Sequence, residues 1–220
     1  SGDGTGVGTI TGANITTTGV NVPNVAINKG NQAISAEDRR NGTITWTLSA
    51  VSNLSNYGSS QIVDTLPIDQ DYLVDEIYWG AQKIDNTTEP KAEISGDGRT
   101  LTISFATPNA LQTIQYFTIK TKIKQDVYGQ NLDRNFTNQA RVALFSETTG
   151  LEISSASDNH SVRIINSVIA KSNSVYTGNT TQQAEKPRVN FSIVVNSNLM
   201  ELTNLKINDD ISQILTQFLR

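Results

Sequence analysis

Three polar residues lie where the pattern of their neighbours predicts the buried face of a β-strand. They are Lys29 in the segment VAINK, Asp64 in QIVDTLP and Asn138 in NQARVALF, and each stands two residues from an apolar residue of the same face. Burying an unpaired charge is costly, so such groups must meet one another or change their protonation state. The sequence therefore predicts that a lysine, an acid and an asparagine from three separate strands meet in one core.

Side chains of these three types can react with one another. A lysine removed from water loses its proton more readily, and the neutral amine is a nucleophile. A carboxyl group buried among apolar groups is stabilised in its protonated form and can donate a hydrogen bond to an amide oxygen. Attack of the Lys29 nitrogen on the Asn138 amide would release ammonia and leave an amide bond between the side chains, with Asp64 as the catalytic proton donor. Fixed proximity would supply most of the acceleration, because effective molarities reach about 10⁵–10⁸ M.

Two arrangements without a covalent bond satisfy the same pattern. In the first, Lys29 and Asp64 form a buried ion pair and Asn138 is its hydrogen-bond partner. In the second, Lys29 lies at the end of its strand in solvent. The residue types alone leave these alternatives open beside the covalent bond.

The elements that must position these residues are predicted to be strands. Strict alternation of apolar and polar residues is typical of half-buried antiparallel strands, and short strands separated by Gly, Asn, Asp and Pro turns indicate a sandwich or a barrel. Besides the three segments above, the predicted strands are TITWTL, TLTISF, FTIKTKIK and HSVRII, and one short helix is predicted near QDVYGQNLD. The sequence therefore predicts an all-β fold.

Composition excludes several classes of function. The chain has 220 residues, no cysteine, one histidine and a net charge of -4. These counts argue against disulfides, cysteine nucleophiles, a Ser-His-Asp triad and a histidine-rich metal site. The negative net charge argues against a basic patch for nucleic acid. The sequence has no run of 18 or more apolar residues, the length that a membrane-spanning helix needs. We expect a protein that is not an enzyme and that uses no cofactor or metal.

Two further groups of polar residues are predicted to be solvated. Asp69, Asp71, Asp75 and Glu76 lie in IDQDYLVDE, which is interpreted as an acidic loop because the spacing of a calcium-binding EF-hand is missing. His160 in SDNHS is interpreted as an exposed loop histidine.

The sequence also repeats itself. RVNFSIVV resembles TITWTL, with Phe191 145 residues after Trp46, and TNLKINDDIS resembles SSQIVDTLP, with Asp209 at the same distance after the earlier aspartate. Upstream, VIAKSN resembles AINKGN, with Lys171 142 residues after Lys29. The constant offset of the first two segments favours a true repeat over a chance likeness between alternating strands.

The three motifs together resemble the Ig-like domains of Gram-positive surface proteins that form intramolecular isopeptide bonds, and most nearly the collagen-adhesin and pilin-backbone types. That family has a lysine in the first strand, an acid in a segment like I-x-D-T-L-P and an asparagine in N-x-A-x-V near the end. This chain has INK at Lys29, IVDTLP at Asp64 and TNQARV at Asn138, in the same order and at similar spacing. The resemblance implies an Ig-like antiparallel β-sandwich cross-linked between Lys29 and Asn138, with Asp64 as the proton donor.

The resemblance and the repeat together divide the chain into three parts. Residues 1–22 are rich in Gly and Thr and are predicted to be a linker or leader strand, and residues 23–165 the isopeptide-type domain. Residues 166–220 are predicted to begin a second Ig-like domain, in which Lys171 and Asp209 are the equivalents of the first lysine and acid. Its asparagine would lie beyond these residues, so we expect no second bond within them.

The resemblance also implies a function. It points to a structural or adhesive module of a bacterial cell-surface protein or pilus, extracellular and anchored to the cell wall in the full-length protein. Its partners would be neighbouring domains of the same chain and a host or matrix protein. The alternative is a subunit of a self-assembling filament or surface layer, whose incomplete second unit and leader pair with neighbouring subunits by strand addition.

Overall fold

A computed structural model describes residues 24–176, 188–197, 199 and 206–208. The predicted leader, residues 1–22, and Asp209 lie outside the described residues. The first ten strands are β1 (Val25–Asn31), β2 (Thr43–Ser52), β3 (Ser59–Thr65), β4 (Gln70–Trp79), β5 (Gln82–Lys83), β6 (Lys91–Ile94), β7 (Thr100–Phe105), β8 (Gln115–Ile123), β9 (Leu132–Phe145) and β10 (Glu152–Asn166). Two further strands follow, β11 (Ile169–Tyr176) and β12 (Arg188–Val195).

The first ten strands form two antiparallel sheets of five strands each. Sheet I has the order β1-β2-β8-β4-β5, and sheet II has the order β10-β9-β3-β7-β6. The alternating apolar residues of both sheets point into one core, whose largest fully buried side chains include Trp46, Tyr57, Phe117 and Phe136. Each such side chain contributes about 1.5–3 kcal/mol when it is removed from water. The predicted all-β, Ig-like antiparallel β-sandwich is therefore confirmed.

Helices are few and short in the described residues. Helix α1 (Ala36–Asn41) begins with a capping box between Ser35 and Asp38 and ends at Gly42, whose φ is 68°. A Cβ at Gly42 would lie 2.7 Å from the ring of Tyr128, so this turn requires glycine. Helix α2 (Gln125–Tyr128) lies where the short helix was predicted, and a 3-10 helix spans Ala110–Gln112. No helix of the described residues is long and apolar enough to cross a membrane.

The sequence prediction missed strand β4 and wrongly assigned part of it to an acidic loop. Its pairing with β8 shifts register between Tyr72 and Ile77, which breaks the alternation in the middle of the strand. Asp71 and Asp75 point to solvent there, whereas Tyr72 is buried. This irregularity removes the alternation from which a strand is predicted. The buried Tyr72 of this strand contacts the site described below.

Strand β10 is longer than HSVRII, the segment from which it was predicted. It spans 15 residues and pairs with β9 over almost its whole length. His160 therefore lies within a strand opposite Asn138, where it is half-buried, and its assignment to a solvated loop is wrong.

Strands β11 and β12 form a separate two-stranded sheet whose register repeats that of β1 and β2. Lys29 lies opposite Leu48, and Lys171 lies opposite Ile193. In both ribbons the residue two positions beyond the lysine lies opposite an aromatic residue, which is Trp46 in β2 and Phe191 in β12. The lysine nitrogen stands 5.6 Å from the aromatic ring centre in the first ribbon and 4.8 Å in the second.

Candidate functional site

Lys29 projects into the sandwich from β1, the edge strand of sheet I. Val25 on the same strand face is also buried, so the side chain follows the alternation of the strand into the core. No part of the Lys29 side chain is exposed to solvent. The alternative in which Lys29 lies in solvent at a strand end is therefore wrong.

Asp64 enters the core from the opposite sheet. It lies on β3, the central strand of sheet II, between Leu101 of β7 and Ala140 of β9. A central strand is paired on both edges, so the position of this carboxyl group is fixed by two ladders. Its side chain has no exposed area.

Asn138 lies on β9 and completes the group. Its Nδ2 donates a hydrogen bond of 3.0 Å to Oδ1 of Asp64, while Nζ of Lys29 donates to Oδ2 of the same carboxylate. Asn138 is fully buried, and its Oδ1 has no hydrogen-bond partner. The structure thus places the three residues together, with the amine and the amide on the two oxygens of one buried carboxylate.

Tyr72 is a fourth member of the site that the sequence interpretation missed. Its hydroxyl lies 2.8 Å from both Oδ1 and the backbone oxygen of Asp64 and donates to them. Burial, with a contribution from the Asp64 carboxylate, raises the pKa of Tyr72 above its ordinary value, so the hydroxyl keeps its proton and serves as a donor. The sequence signal that could have revealed Tyr72 is a tyrosine at a position of the irregular segment IDQDYLVDE that faces the apolar core.

Trp46 forms an apolar wall beside the amine. Its ring centre lies 5.6 Å from Nζ of Lys29, and its Nε1 donates a 3.0 Å hydrogen bond to the hydroxyl of Thr121 on β8. The Thr121 hydroxyl donates in turn to the backbone oxygen of Ile44. These bonds satisfy the polar atoms of the wall and hold the indole in place.

Burial lowers the pKa of Lys29 below the usual lysine range. The nearby carboxylates oppose this effect, Asp64 through attraction and a hydrogen bond and Asp158 through attraction alone. Desolvation is the largest of these causes, so the site favours the neutral amine more than water does.

The predicted equivalents in the second repeat are not brought together in the described residues. Lys171 lies on β11 with an exposed side chain over the ring of Phe191, and Asp209 lies outside the described residues. In the part of the chain that the structure describes, no three histidine, aspartate or glutamate side chains cluster as ligands of a metal ion would.

Comparisons with known proteins give matches among solved structures alone. No protein-family model and no curated protein matches the chain. The collagen-binding domain of a Staphylococcus aureus adhesin is similar at 19% identity and a TM-score of 0.40, over 63% of this chain and 97% of that domain. The collagen-binding subdomain ACE19 of an Enterococcus faecalis surface protein is similar at 13% identity and a TM-score of 0.45, over 66% of this chain and 99% of that one. The major pilin subunit BcpA of Bacillus cereus is similar at 12% identity and a TM-score of 0.44, over 67% of this chain and 42% of the pilin.

Proposed function

We propose that this chain is a structural or adhesive module of a bacterial cell-surface protein, stabilised by an amide bond that Lys29 and Asn138 form without an enzyme. The observation that carries the proposal is the position of the Lys29 amine and the Asn138 amide on the two oxygens of the buried Asp64 carboxylate. An ion pair of Lys29 and Asp64 alone would not need a buried amide whose oxygen lacks a partner.

The first step is a proton transfer from Nζ of Lys29 to Oδ2 of Asp64 along their hydrogen bond. It converts two buried ions into a neutral amine and a neutral acid, which removes the cost of keeping charges out of water. Tyr72 and Asn138 both donate to Oδ1 of Asp64, so the other carboxylate oxygen is the one that receives the proton.

The second step is attack of the amine on the amide carbon. A half-turn of the Asn138 amide about its last torsion exchanges Nδ2 and the unpartnered Oδ1. A half-turn of the protonated Asp64 carboxyl group brings its O–H to the oxygen position that faces Asn138, so that Oδ1 of Asn138 accepts a hydrogen bond from it. These turns give the buried carbonyl oxygen a hydrogen-bond donor, and a buried carbonyl without one costs about 1–3 kcal/mol. The new Nζ–Cγ bond forms and the Cγ–Nδ2 bond breaks. Nδ2 takes one proton from Asp64 and leaves as ammonia, while Nζ passes its surplus proton to Asp64, which is again a neutral acid.

The bond would give the module a mechanical role. It joins β1 to β9, so a pull along the chain bypasses the residues between Lys29 and Asn138, which include β2 to β8. The second cross-linked strand is followed by β10, which lies outside the closed loop and is held by its ladder to β9. An extracellular position and a host or matrix protein as the bound partner belong to the same proposal.

Residues 166–220 are proposed to begin a second module of the same kind, which would make the chain part of a tandem array. The support is the shared register of the two ribbons, in which Lys171 has the same ladder position as Lys29 and each lysine lies beside an aromatic ring. Chance similarity between alternating strands would not require the same pairing of strands. The strands that would cover this ribbon correspond to those that carry the acid and the asparagine in the first module.

The mass of the intact chain tests the cross-link, and the pH dependence of its formation tests the proton donor. Protein recovered unfolded from inclusion bodies, and so without the bond, is refolded by dilution at a series of pH values. We expect the rate of bond formation to be constant near neutral pH and to fall as the pH is raised, with the fall beginning before pH 10.5, the ordinary lysine pKa. The reason is that Lys29 and Asp64 then lose the one proton that they share, so Asp64 can no longer act as the acid. The measurement is the fraction of lighter protein over time by mass spectrometry.

The opposite pH profile would contradict this role of Asp64. A rate that keeps rising with pH beyond 10.5 would mean that the neutral amine alone limits the reaction and that no proton donor is needed. Circular dichroism at each pH serves as the control that the chain has folded.

Hydrogen exchange tests the proposed second module and separates it from the filament alternative. In a dilute monomer we expect amides of β12 to exchange far faster than those of β9, because an isolated two-stranded ribbon is marginally stable. Phe191 and Val194 of β12 are exposed, whereas Ala140 and Val142 of β9 are buried. Equal protection in a confirmed monomer would contradict the second module, and protection that rises with protein concentration would support strand addition between copies.

A further inference from the structure

The two sheets meet along one side of the sandwich at the edge strands β1 and β10. The described strands show no backbone ladder between them, and two hydrogen bonds that link them involve side chains of β10. Oδ2 of Asp158 accepts a 2.8 Å hydrogen bond from the backbone N–H of Lys29. Nε2 of His160 lies 2.9 Å from Oδ1 of Asn31. Alternate residues of β10 therefore hold alternate residues of β1.

The first of these contacts falls on the residue that carries the amine. Oδ1 of Asp158 accepts a 2.9 Å hydrogen bond from the N–H of Asn159, so both carboxylate oxygens are engaged and the side chain is held in one orientation. In the ladder between β9 and β10, Asp158 lies opposite Ala140 and His160 lies opposite Asn138. Strand β10 thus connects the backbone of Lys29 to the stretch of β9 that carries the amide.

We propose that Asp158 is a positioning residue for formation of the Lys29–Asn138 bond, an inference that rests on the proposed function. It holds the backbone of Lys29 at a fixed distance from β9, so the amine starts from a fixed point as it approaches the amide. Ladder hydrogen bonds reach β1 from β2 alone, because β1 is an edge strand. A lysine side chain has many rotamers, and a displacement of about 1 Å can cost on the order of 100-fold in the rate of a proximity-driven reaction.

The test compares Asp158→Ala with Asp158→Asn in the full chain. Both are recovered unfolded, refolded at neutral pH, and followed by the fraction of protein that has lost ammonia. Asp158→Ala removes the acceptor, and we expect it to slow bond formation by about tenfold or more. Asp158→Asn keeps an oxygen that can accept from the Lys29 N–H, and we expect a rate within about threefold of the original. Rescue by the conservative variant separates positioning at this atom from a general loss of packing.

Asp133→Ala is the matched control. Asp133 on β9 binds Arg163 on β10 through two hydrogen bonds of 2.7 Å, so the variant removes a bridge between strands without touching β1. We expect it to form the bond at the original rate. Tryptophan fluorescence on the same samples counts folded molecules, and the rates are expressed per folded molecule. Asp158→Val, which also lacks an acceptor and suits a strand, replaces the alanine variant if that one fails to refold, and the same slowing is expected.

The outcomes separate this inference from the proposed function. Bond formation at the original rate in folded Asp158→Ala or Asp158→Val overturns the positioning role while the cross-link stands. Equal slowing in Asp158→Asn and Asp158→Ala overturns it as well, because an acceptor at this position would then make no difference. Absence of ammonia loss in the unsubstituted chain overturns the proposed function and this inference with it.

Discussion

The intact chain is expected to weigh about 17 Da less than its sequence mass, because one ammonia leaves when the amine displaces the amide nitrogen. The Asp64→Asn variant is expected to have its full sequence mass. Its side chain keeps the shape of aspartate, but it cannot take the Lys29 proton and return it to the leaving group. Burial would then favour the neutral Lys29 amine even more, because the carboxylate that stabilises its cation is gone, but no acid would remain to protonate the departing nitrogen. Mass spectrometry of both purified proteins measures the effect.

The loss of mass must be assigned to the right pair of residues. An asparagine that closes onto its own backbone also releases ammonia, and Asn41 before Gly42 is one candidate. We therefore expect digestion to yield a branched peptide that joins Lys29 to Asn138, and Lys29→Arg to abolish it. Asp133→Asn, at a carboxylate that is about half exposed, is the control that should keep the loss. A full sequence mass in the unsubstituted chain would contradict the proposed cross-link between Lys29 and Asn138.

Asn138→Ala is expected to lower the midpoint of thermal unfolding by about 10–20 °C. The bond closes a loop of about 110 residues, and in the chain-entropy model a cross-link over such a loop stabilises the folded state by about 4–5 kcal/mol. For a chain of this size each kcal/mol shifts the midpoint by about 2–4 °C. The variant leaves the buried pair of Lys29 and Asp64 in place, so no charge loses its partner. Scanning calorimetry of the two proteins measures the difference.

The matched control introduces the same truncation into Asp64→Asn, in which no bond is expected. There, loss of the Asn138 side chain should cost about 1–3 kcal/mol, the value for a buried polar contact. The difference between the two backgrounds is the contribution of the cross-link. An equal loss in both would mean that Asn138 stabilises the fold as an ordinary hydrogen-bond partner.

Much of the fold could be predicted because strand periodicity is a local property. Residues that alternate in a strand keep that alternation wherever the strand packs, so the burial of Lys29, Asp64 and Asn138 follows from their spacing to apolar neighbours. The same reasoning failed for β4, where the register shift after Tyr72 breaks the alternation. It also shortened β10, whose first half alternates small and polar residues and carries no strong apolar signal.

The sequence by itself determined which residues point inward and that a lysine, an acid and an amide were among them. The tertiary structure alone decided that the Lys29 amine and the Asn138 amide meet on the Asp64 carboxylate, because Lys29 comes from sheet I and the other two residues come from sheet II. It also decided that Tyr72 reaches Asp64 and that Asp158 holds the backbone of Lys29. Contacts across a sandwich depend on strand order and sheet stacking, which are set by the packing of the whole core, whereas the periodicity of one strand reports only which side of it faces that core.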